Sequence, residues 1–113
     1  GFVAENIILD RLRIFYWNEL STITADDLLI DVRTAEEFQN GKIPNAINIP
    51  IDEFRDRLGE IPKNKRVYIY CEAGLRGYLA QRILLQNGYE QVQNLSGGYQ
   101  LWKAASTELA LVS

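Results

Sequence analysis

Short apolar runs alternate along the chain with short amphipathic segments. "LLIDV" (28–32) is a short, nearly continuous apolar run, as expected of a strand buried on both faces, and "VYIYC" (67–71) is a further apolar run. The second is rich in β-branched and aromatic residues, which favour strands. "RLRIFYWNEL" (11–20) reads as a strand running into a turn, and "AINIP" (46–50) and "EQVQNL" (90–95) read as further short strands. Helical spacing fills the gaps. In "GFVAENIILD" (1–10), Phe2, Val3, Ile7 and Ile8 share one side, which predicts a short helix. "TADD" (24–27) fits one helical turn. Thr34 with Glu37 three residues later is a capping-box signature, and Gly41 closes that short helix. "IDEFRDRLGE" (51–60) is amphipathic through Ile51, Phe54 and Leu58. Residues 77–87 carry Leu79, Ile83 and Leu84 at helical spacing, and Gly88 stands where a stop belongs. "SGGYQLWKAA" (96–105) enters a last helix through two glycines.

Strands alternating with helices predict an α/β fold: a central parallel sheet with helices on both faces. A chain of 113 residues suits one domain, with a core large enough to fold without disulfides or metals. No repeat, linker or low-complexity segment breaks it. The expected division is an N-terminal extension or the end of a preceding domain over 1–12, the α/β domain over 13–106 and a tail over 107–113. The chain holds no methionine, even at position 1, so a piece of a longer protein is expected.

Composition narrows the chemistry. Twelve basic and fifteen acidic residues give a net charge of -3, and the cations are scattered, so no nucleic-acid partner is expected. No apolar run approaches the roughly 20 residues that span a bilayer, and the opening residues lack the basic start of a signal peptide. A single cysteine forms no internal disulfide and suits a reducing compartment, so a cytoplasmic location is expected. The absence of histidine excludes Ser-His-Asp and Cys-His catalysis within the chain. One cysteine without histidine also makes no structural zinc site.

The candidate chemistry lies in "YIYCEAGLRG" (68–77). Cys71 ends a strand, a helix is expected about six residues later, and ligands in such folds bind beyond the carboxyl ends of strands. The amides of Glu72, Ala73, Gly74, Leu75, Arg76 and Gly77 can curl into a nest aimed at one point, backed by the positive end of the helix dipole. Gly74 and Gly77 let the backbone approach closely. Such a loop binds an anion or stabilises negative charge on a sulfur at its centre. A lone cysteine at a strand end is more often a small buried hydrophobe. The spacing C-x-x-x-x-R with two glycines shifts the balance to a nucleophile.

Three segments, in order over residues 28–102, resemble the rhodanese family of sulfurtransferase domains. "LLIDVRTAEEFQNGKIPNAINIP" resembles its first signature, "YIYCEAGLRG" its active loop and "NLSGGYQLW" its closing Gly-Gly-x-x-x-Trp segment. The resemblance implies that Cys71 takes a sulfur atom from a small donor, carries it as a persulfide and yields it to a thiol or other acceptor. It also implies that Asp31 and Arg33 support the loop. Phosphatases of the same fold use a cysteine loop one residue longer, so the resemblance favours sulfur over phosphate. Glu72 departs from the family, where an arginine is frequent. As an acid beside the cradle it is expected to repel thiosulfate, giving low activity with that donor. Lys42 and Asn45 stand where the family often has His and Gly. Trp102 is expected in the core, Tyr78 in the core with the mouth of the site as its alternative, and Gly97 and Gly98 close to the cysteine loop.

The opening segment, "GLRGYLAQRIL" and "NLSGGYQLW" further resemble the C-terminal rhodanese domain of CoA-disulfide reductase and NADH-dependent persulfide reductase-like flavoproteins. That resemblance implies a fused flavoprotein partner holding FAD and NADH. This chain has no G-x-G-x-x-G segment for either, so no cofactor is expected in it. Two rival functions stay open: a non-catalytic binding or regulatory module of the same shape, and a small phosphatase.

Overall fold

The computed structural model describes residues 12–112. The helix expected over 1–10 lies outside the described residues. Among the described residues five strands form one parallel sheet: β1 (Arg13–Phe15), β2 (Leu28–Asp31), β3 (Ile47–Asn48), β4 (Val67–Tyr70) and β5 (Val92–Leu95). Their order is β1-β5-β4-β2-β3, with Leu28 opposite Val67 and Asp31 opposite Tyr70. Among the described residues three α-helices, α1 (Ala35–Asn40), α2 (Leu75–Gln86) and α3 (Gly98–Val112), and 3-10 segments that include Trp17–Thr22 complete the fold. The α/β architecture read from the alternation is the one found.

The two-residue period of the strands divides the core into two layers. Ile30, Val32, Val67, Ile69 and Cys71 face one side, against Phe54 and the Ala80, Ile83, Leu84 and Leu85 stripe of α2. Leu29, Tyr68 and Tyr70 face the other with Phe15, Ile43 and Leu95, covered by Phe38, Tyr99 and Trp102. Both faces of β4 are therefore dry, which accounts for its unbroken apolar run.

Local expectations hold with adjustments. Thr34 caps α1 with the reciprocal Glu37 bond of a capping box, and Gly41 follows the last turn. Residues 51–60 form two 3-10 turns, Ile51–Glu53 and Arg55–Glu60, either side of the fully buried Phe54. Asp52, Asp56 and Gly59 are poor α-helix formers, so one buried anchor organises the segment instead of an α stripe. Asn45 takes a left-handed conformation (φ 72°), which asparagine tolerates where the family often has glycine. Helix α3 runs to Val112, past its expected end at 105, through a stretch with the helix formers Glu, Leu and Ala. Among the described residues no helix is long and apolar enough to cross a membrane.

Candidate active site

Strands β2 and β4 end side by side, and the chain leaving each builds half of the site. Beyond β4, Cys71 to Gly74 form a tight turn, and α2 begins at Leu75, four residues after the cysteine and not six. Leu75, Arg76 and Gly77 are therefore the helix's first turn, whose amides have no acceptor within the helix. Gly74 has φ 133°, a backbone state that side chains rarely allow, and its N–H swings back to donate to Cys71 Sγ at 2.9 Å. The sulfur thus sits at the positive end of a twelve-residue helix.

The loop carbonyls are turned outward and held there. Cys71 O accepts from Tyr99 N at 2.7 Å, and Glu72 O accepts from Gln100 N at 3.1 Å. Gly74 O accepts from Asn94 Nδ2 at 3.2 Å and from Tyr78 N at 2.9 Å. An N–H points opposite the carbonyl of its planar peptide unit, so the amides that follow these carbonyls are turned away from those donors. Gly98 makes this possible: its φ is 61°, and a Cβ there would stand 2.5 Å from Cys71 O and 2.6 Å from Glu72 O. A Cβ on Gly77 would collide with Asn94 Oδ1, a buried oxygen with no hydrogen-bond partner. Cys71 is 1% exposed and closes one end of the α2-side core, while Leu75 at the rim is 73% exposed.

The half-site from β2 is a buried charge cluster. Arg33 donates through Nε to both oxygens of Asp31 at 3.1 Å and through Nη2 to Asp31 Oδ2 at 2.7 Å. It also donates through Nη2 to Gly41 O at 2.6 Å and through Nη1 to Glu72 Oε2 at 3.1 Å. Its guanidinium lies 4.1 Å from the Tyr99 ring centroid, within cation–π reach. Arg33 is 2% exposed and Asp31 fully buried. Burial opposes the Arg33 charge, but the bonds and attraction of Asp31, with Glu72 adding to them, hold its pKa above the ordinary value. Asn48 Nδ2 donates to the carbonyls of Asp31 and Arg33 and so fixes the strand exit. Glu72 does not project freely into solvent; it is tied to this cluster.

Arg76 forms the second bridge. Its Nη1 and Nη2 donate to the two oxygens of Glu37, in α1, at 2.6 and 3.0 Å. Glu37 also accepts from Thr34 N as part of the α1 cap. The Arg76 bond, working against burial and aided by Thr34, brings the Glu37 pKa down to about 2.

Every residue placed at the site from sequence lies at this loop or braces it: Cys71, Glu72, Ala73, Gly74, Leu75, Arg76 and Gly77 form it, and Asp31 supports it through Arg33. Tyr78 is half-buried beside Arg82 and joins neither core layer, unlike the expectation. Trp102 packs on Tyr99 in the second layer, as expected. Glu37, Tyr99 and Asn94 were not read as site residues. Glu37 is also the capping-box residue of α1; its position four residues after Arg33, matching the four from Glu72 to Arg76, was the available signal. A cavity of about 610 Å³ lies elsewhere, lined by residues that include Leu29, Ile43 and Trp102, and touches no residue of the loop.

Residues 16–105 match the family model of the rhodanese-like domain. A protein of Allochromatium vinosum named "Sulfurtransferase" is 46% identical over 79 residues, spanning 70% of this chain and 74% of its own. Among solved structures, reduced CoADR-RHD of Bacillus anthracis superposes with a TM-score of 0.82 at 42% identity; the match covers 96% of this chain and 19% of that one. An NAD-dependent persulfide reductase from A. fulgidus gives a TM-score of 0.68 at 36% identity, covering 88% of this chain and 17% of that one. The chain thus spans about a fifth of the length of these two proteins. With its parallel sheet, cysteine turn and matched sequence, the chain belongs to the rhodanese-like domain family.

Proposed function

We propose that this domain is a sulfur carrier working through a persulfide on Cys71. The Cys71 thiolate attacks the outer sulfur of a sulfane donor. A new S–S bond forms to Cys71, and the bond to the donor breaks; with thiosulfate, sulfite leaves with the bonding pair. An acceptor thiolate then attacks the outer sulfur of the Cys71 persulfide and restores the Cys71 thiolate. Both steps need a soft nucleophile and fixed donors for the charge on sulfur, with no general base once the thiol is ionised. The observation that carries this reading is the Gly74 N–H donated to Cys71 Sγ in front of the unpaired first amides of α2.

The two large proteins similar to this chain suggest its setting. We read it as a domain that presents sulfur to a neighbouring reductase in a reducing compartment. FAD and NADH are assigned to that neighbouring reductase, since the chain carries no G-x-G-x-x-G segment. No step here passes through either.

One observation favours a non-catalytic module instead: Cys71 is 1% exposed. Intact-mass measurement separates the readings. After incubation with polysulfide, thiosulfate or an organic persulfide, the protein should gain one sulfur atom, lose it to added thiol and gain none as Cys71→Ser. A chain that loads from no donor while remaining folded overturns the carrier reading.

A further inference from the structure

Three carboxylates, Asp31, Glu37 and Glu72, meet two guanidiniums, Arg33 and Arg76, around the cysteine turn. Arg33 is buried and committed to Asp31, Gly41 O and Glu72. Arg76 is the cation within the loop itself, in the first turn of α2 beside the unpaired amides. Both of its terminal nitrogens are engaged by one carboxylate in a bidentate pair, the strongest geometry available to a guanidinium. An incoming anion therefore meets an arginine whose charge is already balanced and whose two terminal nitrogens are already turned to Glu37.

Resting on the carrier reading above, we propose that Glu37 is a positioning residue that sets donor selectivity: by holding Arg76 it makes the cradle accept sulfane donors of low charge and disfavour dianions such as thiosulfate. The same pair fixes the Arg76 side chain against α1, so the loop keeps its shape without spending a donor on the substrate. A persulfide or polysulfide with one charge near the reacting sulfur needs the amides of the turn and little from Arg76. A dianion needs a second cation, and must compete with Glu37 for it. The expectation from sequence gave this exclusion to Glu72. Glu72 instead lies against Arg33, whose single charge it shares with Asp31.

The variant Glu37→Gln isolates the effect. Glutamine keeps an oxygen for the Thr34 amide, so the α1 cap survives, while Arg76 loses its counter-charge. Two donors are compared at constant ionic strength: thiosulfate, which releases sulfite, and benzenethiosulfonate, a monoanion that releases benzenesulfinate. In Glu37→Gln the KM for thiosulfate should fall about tenfold and that for benzenethiosulfonate about threefold, since the gain scales with donor charge. The kcat for each should stay within about twofold, and Glu37→Gln/Arg76→Gln should erase the gain. Equal changes for the two donors, or a loss confined to kcat, mark a merely structural role and overturn the proposal. A second measurement does not need sulfur transfer. Sulfate, an inert dianion, is titrated against 15N-labelled protein at constant ionic strength, following the Leu75, Arg76 and Gly77 amides. Affinity should rise about tenfold in Glu37→Gln. Equal affinity, or binding in neither protein, overturns the proposal. Failure of the wild type to load sulfur would overturn the carrier reading and leave this titration readable.

Discussion

Two ion pairs join the segment after β2 to the segment after β4, and they differ in kind. Arg33–Glu72 and Glu37–Arg76 each link residues 39 apart, the same offset as the β2–β4 register, and so does the exposed Asp27–Arg66 pair at the other end of the strands. The polarity is reversed between the first two: the β2 side supplies the cation in one and the anion in the other. Arg33 is buried and held, its ring contact aside, by three acceptor groups of the protein: Asp31, Gly41 O and Glu72. Arg76 and Glu37 are each about a third exposed. The buried cluster fixes where the loop lies; the half-exposed pair sits where a ligand arrives and can exchange partners. Parallel strands in register carry both exits forward together, so one sheet register sets both pairs.

The comparison breaks first, and hardest, at Arg33. In Arg33→Met, Asp31 keeps its burial and loses its charged partner. Stability should fall by about 3–5 kcal/mol, the cost of leaving one member of a buried pair uncompensated. Replacing Asp31 as well, in Asp31→Leu/Arg33→Met, should recover part of the loss, because the isolated charge is removed. Chemical denaturation measures both; a single-variant loss below about 1 kcal/mol would show that the cluster does not brace the loop.

Gly98→Ala tests the loop from its other side. The added methyl meets the Cys71 and Glu72 carbonyls, and alanine resists a φ of 61°. A loss of about 2–3 kcal/mol is expected from overpacking and strain together. Sulfur loading of Cys71 should fall further than stability alone explains, because the carbonyls must move and the amides move with them. Loading that tracks the folded fraction would contradict this.

Much of this arrangement was legible in the chain. The β-propensity of "VYIYC" identified a strand, and Thr34 with Glu37 placed the start of α1. The Gly97-Gly98 pair pointed to close approach at the cysteine loop, and Gly98 makes it. The pairing of charges was not legible. Residues 39 apart become neighbours only through the β2–β4 register, and register is set by which side chains fit which layer, a property of the whole core. Tyr99 was invisible as a partner of Arg33 for the same reason: α3 must first dock on the loop carbonyls before its ring reaches the guanidinium. The first turn of α2 was misjudged because glycines at 74 and 77 suggested a longer loop, whereas Gly74 serves as the cap and Gly77 as a contact inside the helix.

The half-exposed pair predicts an acid dependence. The Glu37 pKa lies at about 2 in the folded protein, against 4.5 as its ordinary value. A lowered folded pKa means the unfolded chain takes up the proton first, so this stabilisation is complete above about pH 4.5 and is lost as pH falls towards 2. Solvent screening of a pair this exposed limits the contribution to about 1 kcal/mol. The stabilities of wild type and Glu37→Gln, followed by denaturation from about pH 6 down to about pH 2, should approach each other at the acid end. A gap that stays constant with pH would place the stabilisation in the cap and not in the ion pair.

The smallest effect is expected at the residue that looked most unusual in the sequence. Glu72 is a third exposed and accepts one bond from an arginine that keeps Asp31 when Glu72 is neutralised. Glu72→Gln retains an oxygen for Arg33 Nη1, so stability should change by about 0.5 kcal/mol or less. The KM for thiosulfate should fall about twofold, as one screened charge is removed without releasing any donor to the ligand. That change is several times smaller than the one expected for Glu37→Gln, although each variant removes one negative charge near the same loop. Glu72→Arg is a poorer test, because it would set two guanidiniums against each other across the bond now made by Arg33. If Glu72→Gln lowers the KM for thiosulfate as far as Glu37→Gln does, donor choice depends on the summed charge around the cradle, and the distinction between the two pairs disappears.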